Sequence, residues 1–194
     1  PQPDVRLAPN ATSRELRLGD MMEGIRSAID AHRPAWVVVF GDTDSTLAGA
    51  WAAAASQVPL IHIEAGLRSH DWRMPEEVNR VLTDRMSSVL VCPTHAAVNH
   101  LRREAIVDNS ADGEVPSVLK PWVLKTGDIM HDNAVHFKAQ FDIVKARSGR
   151  VLMTMHRPGN VDDPDLLWSW VEAIGAWLKS RSLRAVWPIH PRTK

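Results

Sequence analysis

The chain has 194 residues, 44% of them hydrophobic, with 23 basic and 23 acidic side chains for a formal net charge of +0. That balance offers no electrostatic case for nucleic acid or an anionic membrane, and the apolar share supports a packed core rather than disorder. Cys92 is the only cysteine, so no disulfide forms within the chain, which suits a reducing cytosol, and no apolar run nears the roughly 20 residues of a membrane span.

Pro1-Gln2-Pro3-Asp4 does not read as a signal peptide, and the lack of an initiator methionine fits a processed product or a fragment. Thr12-Ser13-Arg14-Glu15 reads as a capping box, followed by Leu18, Met22, Ile25 and Ile29 at helical spacing. Trp36 to Phe40 is a continuous apolar run, the pattern of a buried parallel strand. Ser45 to Ser56 is alanine-rich and predicts a helix packed closely on a sheet. Leu60 to Ile63 is the next strand. Pro75 suits the first turn of a helix with Val78, Leu82 and Met86 on its apolar face. Val89-Leu90-Val91 predicts a strand, and Thr94 caps a helix that holds Val98 and Leu101.

Residues 105–121 read as a polar surface loop, and Trp122-Val123-Leu124 as a strand ending at Thr126-Gly127-Asp128. Arg150 to Thr154 predicts a strand. Asp163-Pro164 starts a helix carrying Leu167, Val171, Ile174 and Leu178, with Trp168, Trp170 and Trp177 on or near the side toward a second core. Ala185 to Ile189 is the last predicted strand. Strand–helix alternation throughout predicts an α/β fold: parallel sheets joined by right-handed crossovers, with helices on both faces. The expected division is 1–130, the greater part of a Rossmann-like domain, and 131–194, the beginning of a second. About 60 residues make a marginal core. Exposed apolar faces near Val151–Met155 and Ala185–Ile189 are therefore expected, with association of the isolated chain.

Chemistry-bearing residues collect at the carboxyl ends of the predicted strands, where open α/β sheets place their sites. Asp42 follows the first strand in Gly41-Asp42-Thr43, either as a site residue or as an ordinary helix cap. Asp42-Thr43-Asp44 also matches the loose Asp-x-Asp pattern of metal-dependent glycosyltransferases. Glu64 ends the second strand, where a carboxylate is costly unless paired or functional; the ordinary alternative is an ion pair with Arg68. Glu76 falls in a helix's first turn, where the dipole alone favours it, and Arg80 lies one turn on. His156-Arg157 follows a later strand, and His190 with Arg192 repeats the arrangement, a pairing suited to a diphosphate. No Cys-x-x-Cys or His-Glu-x-x-His occurs among the nine histidines, and no metal or cofactor is expected.

Gly41-Asp42-Thr43, His62 to Ser69, Met74 to Arg80, Thr83-Asp84, Thr126-Gly127-Asp128 and His156-Arg157 together resemble the non-hydrolysing UDP-N-acetylglucosamine 2-epimerase family. Arg73-Met74-Pro75-Glu76-Glu77 looks more like the branch that includes UDP-diacetamidoglucuronic acid 2-epimerases. The resemblance implies a GT-B-type fold of two Rossmann-like domains, both incomplete here. It also implies inversion at C2 of a UDP-linked N-acetyl sugar by elimination and re-addition of UDP. Asp42, Glu64 and Glu76 match the family's acid/base carboxylates, His156 its histidine near the leaving diphosphate, and Arg80 an arginine of the nucleotide site. Arg68, Arg157 and His190 join Arg80 as candidates for substrate binding. Gly159 departs from the family, which has an acidic residue there. The family's first strand, with its Arg-Pro-Glu motif, and its uridine-holding segment fall outside these residues. A UDP-sugar partner, a homodimer, a cytoplasmic location and a role in cell-surface polysaccharide biosynthesis are implied as well. As given, the chain is expected to be inactive. A GT-B-type glycosyltransferase and a non-catalytic UDP-sugar-binding module are the competing readings.

Overall fold

A computed structural model describes residues 2–140 and 149–193. Helix α1 (Arg14–His32) precedes β1 (Val37–Phe40), α2 (Asp44–Ala55), β2 (Leu60–Ile63), α3 (Pro75–Met86), β3 (Val89–Cys92), α4 (His95–Arg103) and β4 (Trp122–Lys125). Next come α5 (Ile129–Gln140), β5 (Arg150–Leu152), a short α6 (Pro158–Val161), α7 (Pro164–Ser180) and β6 (Arg184–Val186). The chain separates into two compact units, 1–137 and 138–194. The expected division at 130/131 falls at the start of α5.

Unit 1 is built on a parallel sheet in the order β1-β2-β3-β4. Strands laid down in sequence order by right-handed crossovers put their connecting helices on one face. The packing follows. Val39 and Leu60 bury against Ala50 and Ala53 of α2. Leu90, Cys92 and Val123 bury against Ala97 and Leu101 of α4. Val38 and Phe40, pointing the other way from Val39, are exposed. The α2 crossover needs small residues, and at Gly49 even a Cβ would come within 2.8 Å of the Val39 side chain. The buried leucines at 60, 90 and 101 each contribute about 1.5–3 kcal/mol.

Several local expectations shift. The α1 cap is Ser13, not Thr12: the Ser13 hydroxyl accepts the Leu16 N–H at 3.2 Å, while the Thr12 carbonyl takes the Arg17 guanidinium at 2.7 Å. Helix α3 keeps only part of its expected face: Met86 packs on the core and Val78 is half-buried. Leu82 is 44% exposed, and the buried residues are Glu77, Asn79, Arg80, Thr83 and Asp84. Glu77, Asn79, Arg80 and Asp84 find charged or hydrogen-bonding partners on β2 and on the turns after β1 and β2, while the buried Thr83 hydroxyl has none among the described residues.

In unit 2, β5 and β6 pair in parallel. Asp163 caps α7 as expected, accepting the Asp165 and Leu166 amides. Trp168, Trp170 and Trp177 are exposed, 64% for Trp168, rather than turned to a core. Leu152, Val186 and Ile189 are exposed as the short second unit led one to expect.

Candidate functional site

Two adjacent strand ends in unit 1 carry acidic turns. After β1, Gly41 takes φ +72° and its amide bonds the Ile63 carbonyl at 3.0 Å. After β2, Glu64 itself takes φ +72°, a left-handed conformation that a non-glycine residue adopts at a cost, with its amide on the Val91 carbonyl at 3.0 Å. Gly66 follows at φ +76°, and a Cβ there would lie 2.6 Å from the Ala97 carbonyl oxygen, so only glycine fits the turn.

Arg80 reaches up from α3 and joins the two carboxylates. Its Nη1 lies 2.6 Å from Asp42 Oδ2 and its Nη2 2.8 Å from Glu64 Oε1, with Nε donating to the Glu64 carbonyl at 3.3 Å. The Arg80 side chain is 9% exposed, whereas Asp42 and Glu64 are about a quarter exposed. The pairing of Glu64 is thus with Arg80, not with Arg68, and Arg80 does not pair with Glu76. Glu76 stays exposed in the first turn of α3.

Asp44 has a separate arginine. Arg14 forks onto it, Nε at 3.0 Å from each oxygen, and Asn79 donates to it at 3.0 Å while also bonding the Asp42 carbonyl. The Arg14 hydrogen bond holds the Asp44 carboxyl below its ordinary range; burial opposes this and Asn79 adds to it. Each member of the Asp-x-Asp pair therefore faces an arginine. No group of three or more metal-ligating side chains occurs among the described residues.

Arg68, a candidate for substrate binding, turns inward instead. Its side chain is 1% exposed, with Nη1 2.7 Å from Asp84 Oδ2 and with Nε and Nη2 on the two Glu104 oxygens at 2.7 and 2.9 Å. Burial works against its charge, but the bonds from Glu104 and Asp84 outweigh it and raise its pKa above the ordinary arginine value. It is a structural brace by geometry. Cys92, buried beside Asp84, has its thiol pushed up to about 12 by burial, which makes it inert.

Beside Glu64 a cavity of about 270 Å³ is lined by Ile63, Val91, Thr126, Gly127, Asp128 and Asp132, among others. The Thr126-Gly127-Asp128 turn thus meets Glu64 at one site. Asp128 caps α5 by accepting the Met130 amide at 2.8 Å. In unit 2, His156 and His190 are exposed, with ring centroids 5.5 Å apart, and Arg157 is exposed beside them. The side chain of Arg192 lies outside the described residues. The sequence reading missed His62, Glu77, Asn79 and Asp84 as site-building residues. One signal was available for His62: it shares inward parity with Leu60 on an apolar strand.

Glu77 illustrates the cost of removing such a residue. It is 3% exposed and accepts the Ser69 amide at 2.7 Å, the Ser69 hydroxyl at 3.0 Å and the His70 amide at 3.0 Å. Burial would raise its carboxyl, but the bonds from Ser69 and His70 win and lower it. A folded value below the unfolded one stabilises above the unfolded pKa, about 4.3, and the benefit is lost as pH falls through the folded value. Glu77→Gln should therefore lose about 1–3 kcal/mol at pH 7, with variant and wild type converging in acid. Urea titrations across pH test this; equal stability at pH 7 would remove Glu77 from the loop's support.

The family model described as UDP-N-acetylglucosamine 2-epimerase matches residues 1–194. The UDP-2,3-diacetamido-2,3-dideoxy-D-glucuronate 2-epimerase of Pseudomonas aeruginosa is 40% identical over 197 residues, covering 100% of this chain and 52% of the relative. The UDP-N-acetylglucosamine 2-epimerase of Methanocaldococcus jannaschii is 37% identical over 194 residues, with the same coverage. A crystal structure of the Methanocaldococcus jannaschii UDP-GlcNAc 2-epimerase in complex with UDP-GlcNAc and UDP superposes with a TM-score of 0.82 at 34% identity. It is matched over 100% of this chain and 52% of that one. The chain spans about half the length of the curated relatives it matches. The parallel α/β class is that of the GT-B-type epimerases. With the match running from the first residue to the last, the chain belongs to the UDP-N-acetylglucosamine 2-epimerase family.

Proposed function

We propose that a protein carrying this chain inverts C2 of a UDP-linked N-acetylhexosamine, either UDP-GlcNAc or a diacetamido-uronic acid analogue. A base removes the C2 proton, the C1–O bond to UDP breaks, and the electron pair of the broken C–H bond becomes the C1=C2 double bond of a glycal. UDP then adds back through its terminal phosphate oxygen at C1 as C2 takes a proton on the opposite face. Removal on one face and delivery on the other call for more than one acid/base group. The observation that carries this reading is the pair of adjacent acidic turns, Asp42 and Glu64, joined by Arg80.

In this reading Asp42, Glu64 and Glu76 share the proton transfers. Glu76 contributes from its exposed position, as a carboxylate free to meet the sugar from outside the paired set. Arg80, held between the two carboxylates, is within reach of an anionic group entering beside them and supplies fixed positive charge. His156, Arg157 and His190 serve the departing diphosphate. The diacetamido-uronic substrate gains support from the 40% identity to the Pseudomonas aeruginosa enzyme. The family resemblance supports a cytoplasmic homodimer acting in cell-surface polysaccharide biosynthesis. No helix among the described residues is long and apolar enough to cross a membrane.

Incubation of the complete protein with UDP-GlcNAc and with the diacetamido-uronic analogue in D₂O tests the reaction. Deuterium should enter C2 of one of them, and a chelator should not change the rate. Absence of C2 deuterium from both, or transfer of sugar that a chelator abolishes, would overturn the reading in favour of a glycosyltransferase or a binding module.

A further inference from the structure

Behind the acidic turns lies a fully buried set of charges. His62 and Asp84 have no exposed side-chain surface. His62 Nδ1 is 2.7 Å from Asp84 Oδ1, and its Nε2 is 2.8 Å from the Gly41 carbonyl oxygen. Both neighbours are hydrogen-bond acceptors. A neutral imidazole has one N–H and one bare nitrogen, so either tautomer would set a lone pair against an acceptor at bonding distance. Two ring hydrogens satisfy both contacts. The other oxygen of Asp84 accepts the Gly66 amide at 3.2 Å and forms an ion pair with Arg68 Nη1 at 2.7 Å.

Arg68 is shared between Asp84 and Glu104. Glu104 is 28% exposed and also meets the half-exposed Arg85, 3.9 Å from its carboxylate and 2.7 Å from its backbone carbonyl, so solvent and Arg85 share its charge. The case for a second ring hydrogen is therefore the pair of acceptors at His62, not a count of charges.

We infer that His62 is an imidazolium with a hydrogen on each ring nitrogen, and that it positions the two acidic turns relative to each other. Through Nε2 it holds the Gly41 carbonyl, and so the start of the turn that carries Asp42. Through Nδ1 it holds Asp84, which grips the Gly66 amide at the end of the turn that begins at Glu64. His62 touches no reacting atom; it sets the spacing that Arg80 then spans. The kinetic half of this inference rests on the proposed epimerisation, while the proton count does not.

The test uses the complete protein labelled with ¹⁵N-histidine. Near neutral pH the His62 ring, assigned by the signals that vanish in His62→Gln, should show a directly bonded hydrogen on both nitrogens. A ring nitrogen without one overturns the imidazolium. Asp84→Asn removes the charge at similar shape and should strip one of those hydrogens; its retention would show that the Asp84 carboxylate does not hold the second hydrogen and would equally overturn the inference. In the epimerisation assay His62→Gln should lower kcat on the order of 100-fold, the scale of a small misplacement of catalytic groups, with KM and UDP affinity changed by less than about two-fold. An unchanged kcat, or a loss confined to KM, overturns the positioning role. Should His62→Gln not fold, Asp84→Asn is assayed in its place by the same criterion. If no C2 exchange occurs even in the wild type, the epimerase reading fails while the two-hydrogen ring still stands or falls by its spectrum.

Discussion

Glu64→Gln is expected to reduce C2 hydrogen–deuterium exchange in the complete protein by about 10³-fold or more, at the upper end of what one positioned acid/base group contributes. UDP affinity should stay within about two-fold. The substitution is informative because it is nearly isosteric. The amide oxygen can still accept from Arg80, whose Nη2 sits 2.8 Å from Glu64 Oε1, and the left-handed turn at φ +72° is unchanged. What disappears is the proton acceptor and one of the two charges that Arg80 balances. Asp42, on the other arm of Arg80, remains to hold the arginine in place. Exchange is measured by NMR of the recovered UDP-sugar, and affinity by calorimetry with UDP. Wild-type exchange in the variant would take Glu64 out of the mechanism. Equal loss of exchange and of UDP affinity would mean that Glu64 binds the nucleotide instead.

Arg68→Met should lower stability by about 3–5 kcal/mol, the range for removing one partner from a buried ion pair. In a chain of this size that is on the order of 10 °C in Tm. The side chain is 1% exposed and is bonded to both Asp84 and Glu104. Methionine keeps much of the volume, so the loss reports the broken bonds to Asp84 and Glu104 more than a cavity. Arg85→Ala supplies the contrast: that arginine is half exposed, lies 3.9 Å from the Glu104 carboxylate and makes an exposed 2.7 Å hydrogen bond to the Glu104 backbone carbonyl, so its removal should cost less than about 1 kcal/mol. Calorimetric unfolding distinguishes the two. A Tm for Arg68→Met as high as that of Arg85→Ala would show that the buried network contributes no net stability.

Much of the scaffold is legible in the linear pattern because each element answers to its neighbours in sequence. The apolar runs at 37–40, 60–63 and 89–92 need only burial on a parallel sheet, and β1, β2 and β3 form there. The small side chains of α2 meet Val39 as close packing requires. Helix α3 shows where such reasoning stops. Its apolar residues Val78, Leu82 and Met86 repeat at helical spacing, yet Glu77, Asn79, Arg80, Thr83 and Asp84 are the buried ones. Periodicity ranks faces by hydrophobicity; it is blind to a polar face whose partners wait on other strands. The tryptophans of α7 make the complementary case, apolar by type and exposed in the fold.

By itself, the sequence determined the class of fold, the positions of the parallel strands, and the placing of Asp42 and Glu64 at strand ends, since these follow from local burial patterns and turn chemistry. It also carried the family, through the run from His62 to Arg80. Only the tertiary structure decided which charges meet. Arg68 had an acidic candidate at Glu64 and took Asp84 and Glu104; Arg80 had Glu76 one turn away and took Asp42 and Glu64. Spacing along the chain counts possible partners equally. Adjacent strands β1 and β2 bring two turns side by side, and α3 crosses beneath them with its polar face inward, so the ion pairs are fixed by the register of the sheet and the rotation of one helix.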